Sequence, residues 1–433
     1  MIKKFKNLLT SDLIKVFSLT SLSTVIKLLT SYITVKVVAA LVGPAGIALI
    51  GQLQNFTTIF ATLGSGGINN GVVRYVSEFK GEKSSFKKYI QNGLKITIYL
   101  SIFSGGLLIL FSSFLSQWVL LDHQYYYVFV FLGCSLLFLS LNNFLLSILN
   151  GLQEFKKFVI INITTSIIGL LFTVFLVMNY NLRGALVATV TYQSVVFFGT
   201  VFFLKKVNWF SKAYLWGKMN REIVKKYFSY SLMALVSAAT IPVSQLLVRG
   251  YLIQEFTVEK AGFWEGMNRI SGLYLMLFTT SFSVYYLPKL SELKSHHLLR
   301  KEILNTYKII TPLICISLLL IYLLKDVVIN VLFTKEFYPM KELFLWQLAG
   351  DFFKIMSWIL AFLMVAKSMT KIYIITEIIF SGLLVVLSYY FINKYGVIGA
   401  TQSYCLNYFI YFVVMVIIFR KLLFKTNLNS AAT

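Results

Sequence analysis

Runs of about twenty predominantly apolar residues recur from one end of the chain to the other, and no other feature narrows the possible folds so far. A segment of that length crosses a hydrocarbon layer as a helix, because only internal hydrogen bonding can satisfy its backbone there. Just 13% of the 433 residues are charged and the mean hydropathy is +0.77; a soluble domain carries roughly a quarter charged residues. Together these figures exclude a soluble enzyme, a disordered scaffold and a secreted disulfide protein. The run length also excludes an outer-membrane barrel, whose strands alternate over about ten residues. The pattern predicts an all-α polytopic membrane protein with twelve transmembrane helices, over 12–40, 45–73, 88–115, 124–150, 157–178, 183–204, 227–252, 261–288, 303–324, 341–366, 372–392 and 397–419.

The formal net charge is +24, which in a soluble chain would point to nucleic acid. In a membrane protein the same lysines and arginines report topology. On these spans about 27 of them fall in the termini and loops of one face and about 6 on the other. Both termini are therefore expected on the cytoplasmic side, and no nucleic-acid partner is called for. The basic stretch from Met1 to Lys6 is not followed by a short apolar segment with a small-residue cleavage site, so no cleaved signal peptide is expected. Cys134, Cys315 and Cys405 stand alone in apolar segments and suggest neither a metal cluster nor a disulfide framework.

The two halves of the chain resemble each other at a shift near 215. Ala45-Gly46 opens the second span and Ala261-Gly262 the eighth. Ser77-Glu78-Phe79-Lys80 follows one, and Ser291-Glu292-Leu293-Lys294 the other. Tyr180-Asn181-Leu182-Arg183-Gly184-Ala185 matches Tyr395-Gly396-Val397-Ile398-Gly399-Ala400. Six spans per half is an even number, so the repeats share one orientation and are expected to be related by a pseudo-two-fold axis along the membrane normal. The expected division is an N-terminal six-helix bundle over 1–204, a cytoplasmic linker over 205–226, a C-terminal bundle over 227–420 and a tail over 421–433.

Polar residues are not spread evenly. Spans 1, 2, 7 and 8 carry many Ser, Thr, Asn and Gln side chains. That pattern predicts a cavity lined by these four spans; the alternative is that single hydroxyls bond their own helix backbones. Lys15, Lys27, Lys36, Lys95, Arg249, Arg269 and Lys354 fall inside the spans, against Glu265, Asp351 and Glu377. Lys15, Lys95 and Glu377 lie near cytoplasmic ends and Lys36 and Arg249 near outer ends, where long side chains can snorkel. Lys27 lies near the middle of its span. Glu265 and Arg269, four apart, and Asp351 and Lys354, three apart, are spaced to form couples on one helix face. Lys27, Lys36, Arg249, Arg269 and Lys354 are the candidates for an anionic substrate. Glu265, Asp351 and Glu377 are the candidates for ion pairing or for proton or sodium coupling. Pro242 is a candidate hinge in span 7. Phe263, Trp264 and Tyr274 are candidates for sugar contact or an interfacial belt.

Catalytic signatures do not appear. There is no phosphate loop, and His123, His296 and His297 lack metal-ligand spacing. The reading is of a non-enzyme without a cofactor.

The segments Gly43-Pro44-Ala45-Gly46, Asn70-Gly71-Val72-Val73-Arg74-Tyr75-Val76, Gly262-Phe263-Trp264-Glu265-Gly266, Ser281-Phe282-Ser283-Val284-Tyr285-Tyr286-Leu287-Pro288 and Trp346-Gln347-Leu348-Ala349-Gly350-Asp351 with Lys354 extend over most of the chain. In this joint order they resemble the Wzx family of bacterial polysaccharide-unit flippases, in the multidrug/oligosaccharidyl-lipid/polysaccharide exporter superfamily. The likeness is strongest to the branch that moves the lipid-linked enterobacterial common antigen unit. The chain departs from the family pattern in carrying Glu265 where Gln is usual and Gly272 where an acidic residue occurs. The resemblance implies two six-helix bundles, a V-shaped central cavity and alternating access. Its implied cargo is an undecaprenyl-diphosphate-linked oligosaccharide, of O-antigen or enterobacterial common antigen type, moved between leaflets of the bacterial inner membrane. It implies a polymerase and a chain-length regulator as possible partners. A drug or cation antiporter of the same superfamily and a polysaccharide polymerase are the alternatives.

Overall fold

The computed structural model describes residues 12–205, 217–293, 295–367 and 369–424. Three expectations fall wholly or partly outside the described residues: the N-terminal lysines Lys3, Lys4 and Lys6, residues 206–216 of the linker expected over 205–226, and residues 425–433 of the tail expected over 421–433. Every regular element among the described residues is helical. In chain order they are α1 (Asp12–Gly64), α2 (Asn69–Phe79), α3 (Lys83–Leu110), α4 (Ser112–Leu120), α5 (Tyr126–Gly151), α6 (Phe155–Leu204) and α7 (Arg221–Glu255). There follow α8 (Val258–Ser281), a π turn at Phe282–Tyr286, α9 (Leu287–Glu292), α10 (His296–Leu323), α11 (Lys325–Leu332), 3-10 turns over Lys335–Leu343, α12 (Phe344–Ala366), α13 (Thr370–Tyr395), α14 (Val397–Ile418) and α15 (Arg420–Phe424).

Nine helices among the described residues are long and apolar enough to cross a membrane. Two of them, the 43 residues Leu22–Gly64 and the 49 residues Lys156–Leu204, are double length. At 1.5 Å per residue each covers more than about 60 Å, twice the hydrocarbon thickness of roughly 30 Å. Each is interrupted once, at Gly43 (φ 63°, ψ −172°) and at Asn181 (φ 49°, ψ −130°). Counting each as two crossings, and adding the more polar α8, is consistent with the twelve spans expected. The region between the spans expected at 303–324 and 341–366 is not a plain loop but α11 and the turns after it.

Asn181 is where α6 folds back. In a straight helix residues 176 and 184 stand about 12 Å apart. Here a Cβ on Gly184 would sit 1.9 Å from the Leu176 carbonyl oxygen, and the Tyr192 ring lies against Gly169 further down the same hairpin. Only a residue without a side chain lets the two arms approach so closely. The arms of α13 and α14 repeat the device around Gly396 (φ 66°, ψ −147°), with Gly399 pressed on the Phe391 carbonyl. A hydrogen bond of 2.8 Å between the Ser388 and Ser403 hydroxyls ties these arms together. The match at offset 215 seen in the sequence is thus one backbone device used twice.

The chain divides into two compact units. One comprises Met1–Val42 and Leu49–Leu246, the other Gly43–Ala48 and Leu247–Thr433. The division falls inside α7, between Leu246 and Leu247, rather than in the 205–226 segment. The helix itself runs unbroken through Pro242.

In the first unit the start of α7 is pinned to α3. The Asn220 side chain caps α7 by accepting from the Glu222 N–H at 2.9 Å, while its own N–H donates to Asn92 Oδ1 at 2.7 Å. The Tyr227 hydroxyl donates to the Tyr89 carbonyl at 3.2 Å, and the Tyr75 and Tyr89 rings stack at 4.7 Å. Between α5 and α6, Ser135 donates to the Val190 carbonyl at 3.0 Å, Ser194 to the Ser135 carbonyl at 2.7 Å, and Thr200 to Asn142 at 2.7 Å. Each donor finds an acceptor on the facing helix, which lets small polar residues join helices where the hydrophobic effect cannot.

In the second unit α12 is the buried centre. Tyr286 donates to the Ile359 carbonyl at 3.1 Å and Tyr307 to the Met356 carbonyl at 2.9 Å. One end is aromatic, with Phe333, Phe337 and Phe344 all excluded from solvent. At the other end Lys367 donates to the Leu293 carbonyl at 2.7 Å.

Candidate functional site

Three helices of the second unit, together with the end of α7, bring its ionisable residues into one interior. Thr257 starts α8 by accepting from the Lys260 N–H at 3.1 Å. The 3.6-residue period then places Glu265, Arg269 and neighbouring polar groups toward α7 and α12.

Arg249 lies in the last two turns of α7 and is only 1% exposed. Its guanidinium forms an ion pair with Glu265 Oε2 and stands 5.4 Å from the Trp264 ring centre. The other oxygen, Glu265 Oε1, accepts from Arg269 Nε at 3.2 Å. The expected helical couple of Glu265 and Arg269 therefore forms, and Arg249 joins it. Snorkelling, the reading that position suggested for Arg249, does not hold: the side chain turns inward because a buried carboxylate is within reach. Two guanidinium groups share one carboxylate.

The second couple does not close. Asp351 is wholly buried, yet its carboxylate is held by hydroxyls. Ser271 donates to Oδ2 at 2.6 Å, Tyr274 donates to the same oxygen, and Tyr404 donates to Oδ1 at 2.7 Å. Gln347, one turn earlier on α12, donates to the Ser271 oxygen at 3.2 Å. Lys354 Nζ lies 3.1 Å from the Tyr404 oxygen and over the ring faces of Tyr408, Tyr404 and Trp358, at 4.7, 5.3 and 5.4 Å from their centres. Among the described residues it makes no ion pair with Asp351. The self-neutralising pair expected from the spacing of three is a correction here: hydroxyl donors from α8 and α14 occupy the carboxylate first.

Glu377, half-buried on α13, feels the charge of Lys354 without pairing with it. Counting Glu377, the interior of this unit holds three cations and three carboxylates, and the other four cations expected within the spans, Lys15, Lys27, Lys36 and Lys95, belong to the first unit. The asymmetry lies in arrangement. Glu265 is shared by two arginines, Asp351 is satisfied by neutral donors, and Lys354 is partnered by phenol oxygen and aromatic faces. Such an ammonium, with three N–H donors, can still donate to an anionic oxygen.

Lys27 is exposed and Lys36 half-buried, both on α1 in the first unit. Phe263 and Trp264 are 8% and 5% exposed, and the Tyr274 hydroxyl is spent on Asp351. These rings are packed within the unit, which corrects the interfacial-belt expectation.

Tyr404 and Gln347 were not among the expected site residues, and Tyr274 was assigned another role. Tyrosine counts as aromatic in composition, so its hydroxyls in span 12 do not stand out there. The spacing of Tyr404, Tyr408 and Tyr411, four then three, is the helical-face signal that reveals it. Among the described residues no group of His, Cys, Asp and Glu side chains could hold a metal ion.

Comparison with known proteins gives concordant results. A family profile described as polysaccharide biosynthesis protein matches residues 13–294. The lipid III flippase of Escherichia coli (strain K12) is 27% identical over 396 residues, covering 91% of this chain and 94% of that protein. The lipid III flippase of Shigella flexneri gives the same figures. Among solved structures, a multidrug resistance MATE family transporter of the MOP superfamily in an inward-facing conformation has a TM-score of 0.76 at 14% identity, over 92% of this chain and 94% of that one. The lipid II flippase MurJ in an inward closed conformation has a TM-score of 0.74 at 16% identity, over 94% and 87% respectively. At these identities the structural likeness establishes the fold.

Proposed function

Because the chain belongs to the polysaccharide biosynthesis protein family, we propose that it is a flippase for an undecaprenyl-diphosphate-linked oligosaccharide unit. It moves the unit from the cytoplasmic to the periplasmic leaflet of the bacterial inner membrane by alternating access. The single observation that carries this reading is Lys354, an ammonium inside the second unit whose hydrogen-bond partner is a phenol rather than a carboxylate. An anionic diphosphate leaving water needs such a donor to replace lost hydration. Arg269, still 14% exposed at its side chain while Arg249 is sealed in, is the second donor. Lys27 and Lys36 of α1 supply further positive charge. The relatives named as lipid III flippases support the class of cargo.

The strong bias of lysine and arginine to one set of loops supports cytoplasmic termini. Asp351, Glu265 and Glu377 are the groups through which a proton or sodium gradient would act. A polymerase and a chain-length regulator are the partners this reading implies.

The test is complementation of a strain lacking the protein, with surface glycan and membrane protein level read together. Lys354→Ala and Arg269→Ala are expected to reduce glycan display strongly at unchanged protein level, because each charge-assisted contact contributes about 1.5–3 kcal/mol. Lys27→Ala is expected to do the same. Normal display by Lys354→Ala and Arg269→Ala together would sink the proposal.

A further inference from the structure

Lys354 and Asp351 are opposite charges one helical turn apart, and nothing in the length of either side chain keeps them from meeting. They do not meet, and the cause is on the neighbouring helix. The Tyr404 hydroxyl donates to Asp351 Oδ1 at 2.7 Å, and its oxygen lies 3.1 Å from Lys354 Nζ. One hydroxyl thus stands between the two charges and serves both. The ring that carries it is held in place. A Cβ at Gly350 would come within 2.4 Å of the Tyr404 ring, so the ring occupies a slot that only glycine leaves open. On its other side it packs on Tyr408, with centroids 4.7 Å apart. Ser271 and Tyr274 both donate to Asp351 Oδ2 from α8, and the ammonium stands over the faces of Tyr408 and Trp358.

We infer that Tyr404 is a positioning residue that keeps Lys354 from collapsing onto Asp351, and so holds the ammonium ready for an anionic head group. The inference rests on the proposed function, in which Lys354 meets the diphosphate. Removing only the hydroxyl takes one partner from each charge at the same moment. The two then pair along α12, and the lysine is neutralised although its own side chain is intact. Glu377 is another half-buried carboxylate of this unit, but it is on α13 and no hydrogen bond joins it to Tyr404 among the described residues.

The experiment is calorimetric titration of the purified full-length protein in detergent with undecaprenyl diphosphate. Lys354→Ala is expected to weaken binding about tenfold, the loss of one charge-assisted contact. Tyr404→Phe is expected to weaken it to a similar extent, and the double variant no further. Asp351→Asn in the Tyr404→Phe background is expected to restore binding to within about twofold of wild type, because the captor of Lys354 is gone. Glu377→Gln in that background is expected to restore nothing. A purely structural role for Tyr404 predicts the opposite, since a second substitution in the same network would weaken binding further. If the Asp351→Asn double variant does not accumulate, Asp351→Ser serves as the rescue arm, keeping a hydroxyl for Ser271 and Tyr274.

If Lys354→Ala weakens binding and Tyr404→Phe does not, the positioning role is overturned while the head-group reading stands. If Tyr404→Phe weakens binding and neither Asp351 variant restores it, or Glu377→Gln restores it instead, the positioning role is likewise overturned. If wild type and Lys354→Ala bind the probe alike, or wild type does not bind it, the head-group reading falls and the inference with it.

Discussion

The two halves of the chain use one backbone plan and two interior chemistries. Both α3 and α10 are 28 residues long. Each ends in a single break, Phe111 (φ −97°, ψ 15°) or Leu324 (φ −96°, ψ 15°), followed by a short helix, 3-10 turns and the buried helix α5 or α12. Each half ends in a hairpin turning on a left-handed residue, Asn181 or Gly396. The interiors differ. Between α5 and α6 the contacts are Ser135, Ser194, Thr200 and Asn142, all neutral. In the second half Asp351 and Lys354 lie on α12, the counterpart of α5, and Arg249, Glu265 and Arg269 lie on α7 and α8, the counterparts of α1. Duplication preserved what the backbone needs, and the polar chemistry was free to diverge because neutral and charged networks can fill the same helix spacing.

This contrast can be broken most forcefully at Glu265. Glu265→Ala leaves Arg249 and Arg269 facing each other without a carboxylate. Losing one partner of a buried ion pair costs about 3–5 kcal/mol, and thermal unfolding in detergent should show the largest loss of any single substitution considered. The matching helix of the first unit has Gln52, whose amide donates to the Leu246 carbonyl at 3.5 Å. Gln52→Ala should cost only about 1 kcal/mol. Equal losses would mean that the charged interior is no more demanding than the neutral one.

The shared plan predicts equal effects where the contrast predicts unequal ones. Gly184→Ala and Gly399→Ala each force a methyl onto a carbonyl of the opposing arm, and each should cost about 1–3 kcal/mol. The two losses should agree within about 0.5 kcal/mol, read by the same unfolding measurement. A clear disparity would break the equivalence of the hairpins.

The smallest effect sharpens the comparison. Asn181 holds a backbone conformation for which its counterpart is glycine, and a side chain there is strained. Asn181→Gly should stabilise by up to about 1 kcal/mol, and Gly396→Asn should destabilise by a similar amount. A destabilising Asn181→Gly would mean that the asparagine side chain contributes more than its strain.

Much of this architecture was legible in the residue order, since twenty-residue apolar runs and repeated Gly-containing motifs report directly on span and turn. Glu265 and Arg269 were legible as a couple because both lie on one helix. Asp351 and Lys354 were equally close in sequence and did not pair, because the deciding groups, Ser271, Tyr274 and Tyr404, come from other helices. Tyrosine hides such roles by being apolar in composition and polar at one atom. Pro242 is the candidate hinge and α7 continues through it; the non-helical backbone inside long helices falls at Gly43 and Asn181, and a π turn at Phe282–Tyr286. A proline inside a membrane helix removes one hydrogen bond and need not end the helix. A positive φ at an asparagine leaves no compositional trace.

At Asn181 two crossings meet without an intervening loop. Proteases, impermeant labels and antibodies against inserted tags all read connecting segments, and here there is almost none to read. Any reporter sequence placed between Leu176 and Gly184 must first prise the arms apart. A signal from such an insertion would describe a melted hairpin, and silence from it would say nothing about which side of the bilayer the turn occupies. Reporters for this chain belong instead on the segment joining α2 to α3, where Gly81 has open space around it.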